Sequence, residues 1–597
     1  MNVLLAVKMY IGKMIQDSGP GMKVLLMDRE TIGIISMVYA QSEILQKEVY
    51  LFEQIDKTGT ASAMKHMKCV VFLRPSKENI DLLASELKAP RYGIYYIYFS
   101  GIISKAAIKV LAEADENEVV REIQEFYADY FAVGPQLFSL NLEKPIVGME
   151  WSASSLQRVT QGIVSVLLSL KKNPVIRYQS FSTLSCRLAE STRDTILKES
   201  SLFHFQRADQ APLLLILDRR CDAITPLLNQ WTYQAMVHEL LGIRNNRVSL
   251  VGVPGAPKDM SEVLLSADQD EFYANNMYLN FGDIGQTIKS LMDEFQLKAK
   301  NHQKVESIQD MKTFVENYPQ FKKMSGTVTK HVTLLGELSR LVTHHDLLQV
   351  SETEQELACQ EDHSQSLQKV RRLLTADKIQ DLDAARLVML YAIRYNKHSS
   401  NDVSGLAELL RRRGTPDHLI QLVDDMVTYV NSAASNSGCG TMTTKDVTKM
   451  TEKFFKGLKG IENVFTQHTT VLKEILDQLI KGLPKLLYSI QPTILNFVLM
   501  TLSTTFVDVL LVAFIMEMAF IINYAIQDVI VFFIGGATYE ESLAVQQFCR
   551  QNSSVRVILG ATYLHNSRSF FSEVQSAVSS SMSAKKFTAA GHHVKYT

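Results

Sequence analysis

Apolar residues near the start of the chain fall in short runs separated by polar stretches, at residues 24–27, 49–52, 70–73, 94–99 and 130–133. Each run is followed by a polar, helix-competent stretch. That alternation predicts strands joined by helices, the pattern of a parallel sheet. After the third run comes Arg74-Pro75-Ser76. Proline ends a sheet ladder, and Ser76 is placed to cap the next helix. A second α/β region begins with residues 213–217 and resumes with 529–534 and 555–559. If those runs share one sheet, everything between them is a large insertion.

The insertion changes period. Residues 286–297 and 308–342 carry apolar side chains three and four apart, the spacing of an amphipathic helix, with Pro319 interrupting the second stretch. Ser351-x-x-Glu354 has the form of a capping box opening another helix. Arg411-Arg412-Arg413-Gly414 closes one, since cations suit a helix C-terminus and glycine the turn beyond it. Residues 431–440, rich in Ser, Asn and Gly, are expected to be a loop, and 579–597 a disordered tail. The chain shows no internal repeat.

Composition narrows the function classes. The chain has 597 residues, 46% hydrophobic and 21% charged, enough for about four domains with ordinary cores. Lys plus Arg number 62 against 63 Asp plus Glu, so the basic excess of a nucleic-acid protein is missing. Cys69, Cys186, Cys221, Cys359, Cys439 and Cys549 are too scattered for a CxxC site and suit a reducing compartment. In the first fifteen residues, Lys8 and Lys13 interrupt a helical apolar pattern, which is unlike a signal peptide, so a cytoplasmic location is expected.

Catalytic signatures are weak. No GxxxxGK[ST] phosphate loop occurs. His238-Glu239-Leu240-Leu241 begins like a zinc-protease helix, but Gly242 stands where the second histidine is needed, so His238 is read as a helix-surface residue. His344-His345-Asp346 is read as a solvated face, because neighbouring helical side chains diverge by about 100°. Gly535-Gly536-Ala537-Thr538 follows a strand and resembles a nucleotide-binding turn. However, Thr538-x-x-Glu541 forms a capping box that occupies the local amides, and Glu541 repels phosphate. Asp218-Arg219-Arg220-Cys221-Asp222 lies at the carboxyl end of a strand, where α/β proteins place active sites. With no histidine base nearby in sequence, Asp218 and Asp222 are read as acceptors for backbone N–H groups and arginine that hold the turn. An α/β enzyme or nucleotide-binding protein using Asp218, Asp222, Gly535 and Gly536 stays as the alternative reading.

The segment from Leu217-Asp218-Arg219-Arg220-Cys221-Asp222 through Ala223-Ile224-Thr225-Pro226-Leu227-Leu228, with Trp231-Thr232-Tyr233-Gln234-Ala235-Met236 after it, resembles the central signature of the SM (Sec1/Munc18-type) proteins, cytosolic regulators of SNAREs. Phe272-Tyr273, Asn280-Phe281-Gly282-Asp283-Ile284-Gly285, Lys456-Gly457-Leu458-Lys459-Gly460-Ile461-Glu462-Asn463, the late strand and turn at 531–541, Phe72-Leu73-Arg74-Pro75 and Phe99-Ser100 extend the match over nearly all of the chain.

The resemblance implies an α/β plus α fold in a three-domain arch: an α/β unit at 1–133 that binds syntaxin, a split α/β unit at 134–242 and 475–597, and a helical insertion at 243–474. It implies a non-enzymatic partner of a syntaxin-class SNARE and its assembling bundle. Such a protein is peripheral to Golgi and endosomal membranes, monomeric, and without cofactor, metal or nucleic acid. By family alignment the pocket for the syntaxin N-terminal peptide falls at Ile108, Leu111, Val120, Ile123 and Glu125, and Pro319 matches the hinge of the family's helical hairpin. One stretch departs from the family. Residues 483–527 are strongly apolar, with Lys485, Asp508 and Glu517 their only charges. Asp508 near the centre is costly in lipid, so the stretch is read as an unusual insertion rather than a membrane anchor.

Overall fold

The computed structural model describes residues 1–57, 63–205, 211–257, 260–303, 308–359, 362–435, 465, 467–481, 487–490 and 527–590. Of the apolar stretch 483–527 only 487–490 and 527 are among these residues, and the motif 456–463 lies outside them. Among the described residues, no helix is long and apolar enough to cross a membrane.

The first helix, Val3–Asp17, buries Val3, Val7, Ile11 and Met14, which recur three and four apart along one face. It precedes a five-stranded, all-parallel sheet ordered Val49–Gln54, Lys23–Met27, Met64–Leu73, Tyr92–Phe99, Val120–Glu125. Ser76 caps the helix Lys77–Lys88 by accepting the Asn79 N–H at 3.2 Å. The run at 130–133, expected as a further strand of the same pattern, instead gives Phe131–Gly134, which pairs antiparallel with Leu137–Ser139 at the edge of the second sheet. The fifth place in the first sheet belongs to Val120–Glu125. That strand sits at an edge and carries Arg121, Glu122 and Gln124, so it lacks the continuous apolar run of a strand buried on both faces.

The second sheet has seven strands, in the order Leu487–Ile490, Val175–Gln179, Leu213–Asp218, Asp528–Ile534, Arg556–Ala561, Leu137–Ser139, Phe131–Gly134. Leu213–Asp218 and Asp528–Ile534 pair in parallel, from Leu213 against Val529 to Asp218 against Ile534. The intervening chain is therefore inserted between adjacent strands. It is largely helical, including Phe281–Gln303, Ile308–His344, Leu347–Cys359, Asp381–Tyr395, Val403–Arg413 and Asp417–Ser435. Gly414 takes a left-handed φ of 90° and closes the helix Val403–Arg413, as the three arginines before it predict.

Several local expectations are overturned. Pro319 does not end its helix, which runs unbroken from Ile308 to His344. Ser351 and Glu354 do not open a helix but lie inside Leu347–Cys359, where their partners come from elsewhere. Ser351 Oγ accepts Trp231 Nε1–H at 2.6 Å, and Glu354 accepts the Asn229 N–H at 2.8 Å and pairs with Arg386 at 2.9 Å. Of the expected loop 431–440, residues 431–435 continue a helix and the remainder lies outside the described residues. The expected tail 579–597 is helical as far as Ala590, continuing Ser567–Ala590, whose start is anchored by buried Phe570, Val574 and Val578, while 591–597 lie outside the described residues. His238 is buried rather than on a surface. Its Nδ1 accepts the Ile243 N–H at 3.0 Å, and Nε2 lies 3.3 Å from the Leu564 carbonyl.

Candidate functional site

Two regions drew attention in the sequence, and the structure treats them differently. At the end of Leu213–Asp218, Asp218 accepts from Ser182 Oγ–H at 2.6 Å, from the Arg220 backbone N–H at 3.0 Å and from the Arg220 guanidinium at 2.6 Å. Burial opposes its charge, yet Arg220 and these hydrogen bonds hold its pKa below the ordinary carboxylate value. Asp222 accepts the Thr225 N–H at 3.1 Å and its hydroxyl at 2.7 Å. Both carboxylates brace the turn, as their neighbours in sequence suggested.

The glycine turn is filled by protein. Arg219 Nε–H donates to the Gly536 carbonyl at 3.0 Å, and its far nitrogen reaches Glu541. Gly535 and Gly536 have φ of 78° and 88°, and a Cβ on Gly536 would lie 2.1 Å from the His565 ring. Thr538 and Glu541 satisfy each other's backbone amides in the expected capping box. The N-terminus that a phosphate would use is occupied by Glu541, Arg219 and His565. Burial and neighbouring Arg219 push His565 down to about 3, and burial lowers His238 to about 4, so both are neutral near pH 7.

The second region is the open edge of the first sheet. Ser104 caps the helix Lys105–Ala114 by accepting the Ala107 N–H at 3.2 Å. Asp115 then accepts the Val119 and Val120 N–H groups at 2.9 and 3.0 Å, folding the chain back into Val120–Glu125. Leu111, 1% exposed, and Ala114 belong to the core beneath, and Val120 and Ile123 are half-buried against that core. Ile108 is 38% exposed and Val110 42%, on either side of the buried stripe.

Of the five residues singled out in the sequence, Ile108 and Leu111 lie on the helix and Val120, Ile123 and Glu125 on the edge strand, in different surroundings. Ile108 faces solvent, Val120 and Ile123 are partly buried against the core, and Leu111 lies within it. Glu125 is engaged within the chain, accepting the Ile103 N–H and the Tyr127 hydroxyl, each at 2.8 Å. A basic ligand group would have to share that carboxylate. Pro319 belongs to the hairpin helix and is not part of this cluster. Val110 escaped the sequence reading. Its signal was an apolar side chain with no place on the buried stripe of a short helix.

A family model described as the Sec1 family matches residues 23–573. Vacuolar protein sorting-associated protein 45 of Homo sapiens is 56% identical over 575 residues, covering 96% of each chain. Its counterpart in Dictyostelium discoideum is 44% identical over 580 residues, covering 96% of this chain and 97% of the relative. A solved structure described as the SM protein Vps45 in complex with the Qa SNARE Tlg2 superposes with a TM-score of 0.86 at 42% identity, covering 97% of this chain and 99% of that one. The Unc18–syntaxin 1 complex from Monosiga brevicollis shares the fold, with a TM-score of 0.76 at 19% identity. Both sheets and the helical insertion thus fall within a whole-chain SM architecture.

Proposed function

The chain belongs to the Sec1 family, and from that premise we propose that it binds a syntaxin-class Qa-SNARE and promotes SNARE assembly in vesicle docking and fusion at trans-Golgi and endosomal membranes. The observation that carries this is the whole-chain likeness to an SM protein solved in complex with a Qa SNARE. The protein acts by binding rather than by bond chemistry, since the strand-end carboxylates and the glycine turn are engaged in holding the fold. It reaches the membrane peripherally, through its SNARE partner.

In this reading the N-terminal peptide of the SNARE docks along the helix Lys105–Ala114 and the edge strand Val120–Glu125. Ile108, Val120 and Ile123 receive one bulky apolar side chain, and an anchor in such a pocket dominates the affinity of a short peptide. The SNARE bundle itself lies between the first α/β unit and the helical insertion, with Pro319 at the hinge of the hairpin.

The test is binding of the purified chain to syntaxin N-terminal peptides, alongside Ile108→Arg. Micromolar or tighter binding that the arginine abolishes, with an unchanged circular dichroism spectrum, is the expected result. Equal binding by the variant would remove the peptide from this edge. Failure of the parent chain to bind trans-Golgi, endosomal and plasma-membrane syntaxins alike would overturn the functional reading.

A further inference from the structure

Among the described side chains of the hairpin helix Ile308–His344, Val328, His331, Leu334, Leu338 and Val342 are buried along one seam. His331 is the polar residue among these five. Its Nδ1 lies 2.7 Å from the Tyr233 hydroxyl and its Nε2 3.0 Å from Asp270 Oδ2. Burial pushes the imidazole pKa down, which keeps it neutral. A carboxylate only accepts, so Nε2 carries the proton and Nδ1 accepts from tyrosine. Asp270 also pairs with Lys330 of the same helix and caps Glu271–Asn276 by accepting the Tyr273 N–H at 3.0 Å.

Asp270 closes a tight turn, its N–H donating to the Ser266 carbonyl at 3.0 Å. Two residues earlier in that turn, Asp268 accepts Lys8 Nζ–H at 2.8 Å, and Lys8 belongs to the first helix, Val3–Asp17. The two aspartates are at most about 7 Å apart along the chain, too short a span to absorb a shift at one end without moving the other.

We propose that the turn 266–270 couples the first α/β unit to the hairpin helix, with Lys8–Asp268 as its input and Asp270–His331 as its output. Asp270 and His331 are then positioning residues for the hairpin, and Lys8 biases them from another part of the molecule. The use of this coupling in SNARE handling rests on the function proposed above; the coupling itself does not.

Hydrogen exchange on the full chain tests it. Lys8→Gln removes the partly exposed pair to Asp268 together with a longer one to Glu43 at 3.8 Å within the first unit, and amides in 328–342 should exchange roughly two- to fivefold faster, the range that loss of the Asp268 pair supports. Asp270→Asn should accelerate the same amides by about tenfold or more, because its partner His331 is buried. Adding Lys8→Gln to Asp270→Asn should produce no further change, since the output is already broken. The exposed control Lys198→Gln should leave 328–342 unaltered. Unchanged exchange there in Lys8→Gln would overturn the proposal. If Asp270→Asn does not fold, Lys8→Gln and Asp268→Asn decide the matter alone. Loss of SNARE binding with the exchange response intact would count against the functional reading and not against the coupling.

Discussion

Arg219 and Glu541 stand 322 positions apart in sequence and meet at 2.5 Å, both side chains fully buried. The pair ties the end of Leu213–Asp218 to the helix Tyr539–Gln551, across the point where the helical insertion leaves the sheet. The Arg219 guanidinium also lies 4.4 Å from the centre of the Phe533 ring, so the strand Asp528–Ile534 helps to enclose its charge.

Removing one partner should therefore be worse than removing both. Glu541→Gln leaves a buried guanidinium short of a counter-charge and should destabilise by about 3–5 kcal/mol. Arg219→Met with Glu541→Met should fall well below the sum of the single losses. Urea denaturation of the three variants checks this, and additive losses would contradict it.

Gly536→Ala should destabilise by on the order of 3 kcal/mol, since it combines a left-handed φ with overpacking. The φ is 88°, and the new Cβ would sit 2.1 Å from the His565 ring. Thermal unfolding of Gly536→Ala beside Gly242→Ala separates the two causes. Gly242 has a φ of 83° with no atom within 4 Å of its Cβ, so only backbone strain applies there.

Burial lowers His238 from 6.5 to about 4. Between those values the unfolded chain holds a proton at this site that the folded chain does not, so stability falls as pH drops through the window. The contribution is about 3 kcal/mol at most, at 1.36 kcal/mol per pH unit. Denaturation midpoints from pH 7.5 to 4 should decline less steeply for His238→Gln than for the parent chain. Identical slopes would mean that another group governs acid sensitivity.

Leu111 and Ile108, three positions apart on one helix, should separate stability from binding. Leu111→Ala should destabilise by about 2–5 kcal/mol, as expected for a core leucine. Ile108→Ala should change stability by less than about 1 kcal/mol while weakening syntaxin-peptide binding. Melting temperature and peptide affinity measured on both variants would show whether the two roles are distinct.

Short-range periodicity is what the chain encodes locally. Runs such as those opening Lys23–Met27 and Leu213–Asp218 mark strands buried on both faces, because the covering helices exclude polar side chains. The capping box Thr538-x-x-Glu541, the Ser76 cap and the arginine–glycine stop at Gly414 were legible because their partners lie within four residues. Tertiary structure decided the rest. The polar edge strand Val120–Glu125 displaced the more apolar run near 131, since sheet membership depends on pairing between distant segments and on which faces meet water. Ser351 and Glu354 have the spacing of a helix start, yet partners at Trp231, Asn229 and Arg386 hold them mid-helix. Ile108, Leu111, Val120, Ile123 and Glu125 were drawn together by family resemblance. Only packing made Leu111 core, Ile108 surface and Glu125 a brace, because burial is set by what lies against a side chain and not by the residues beside it in the chain.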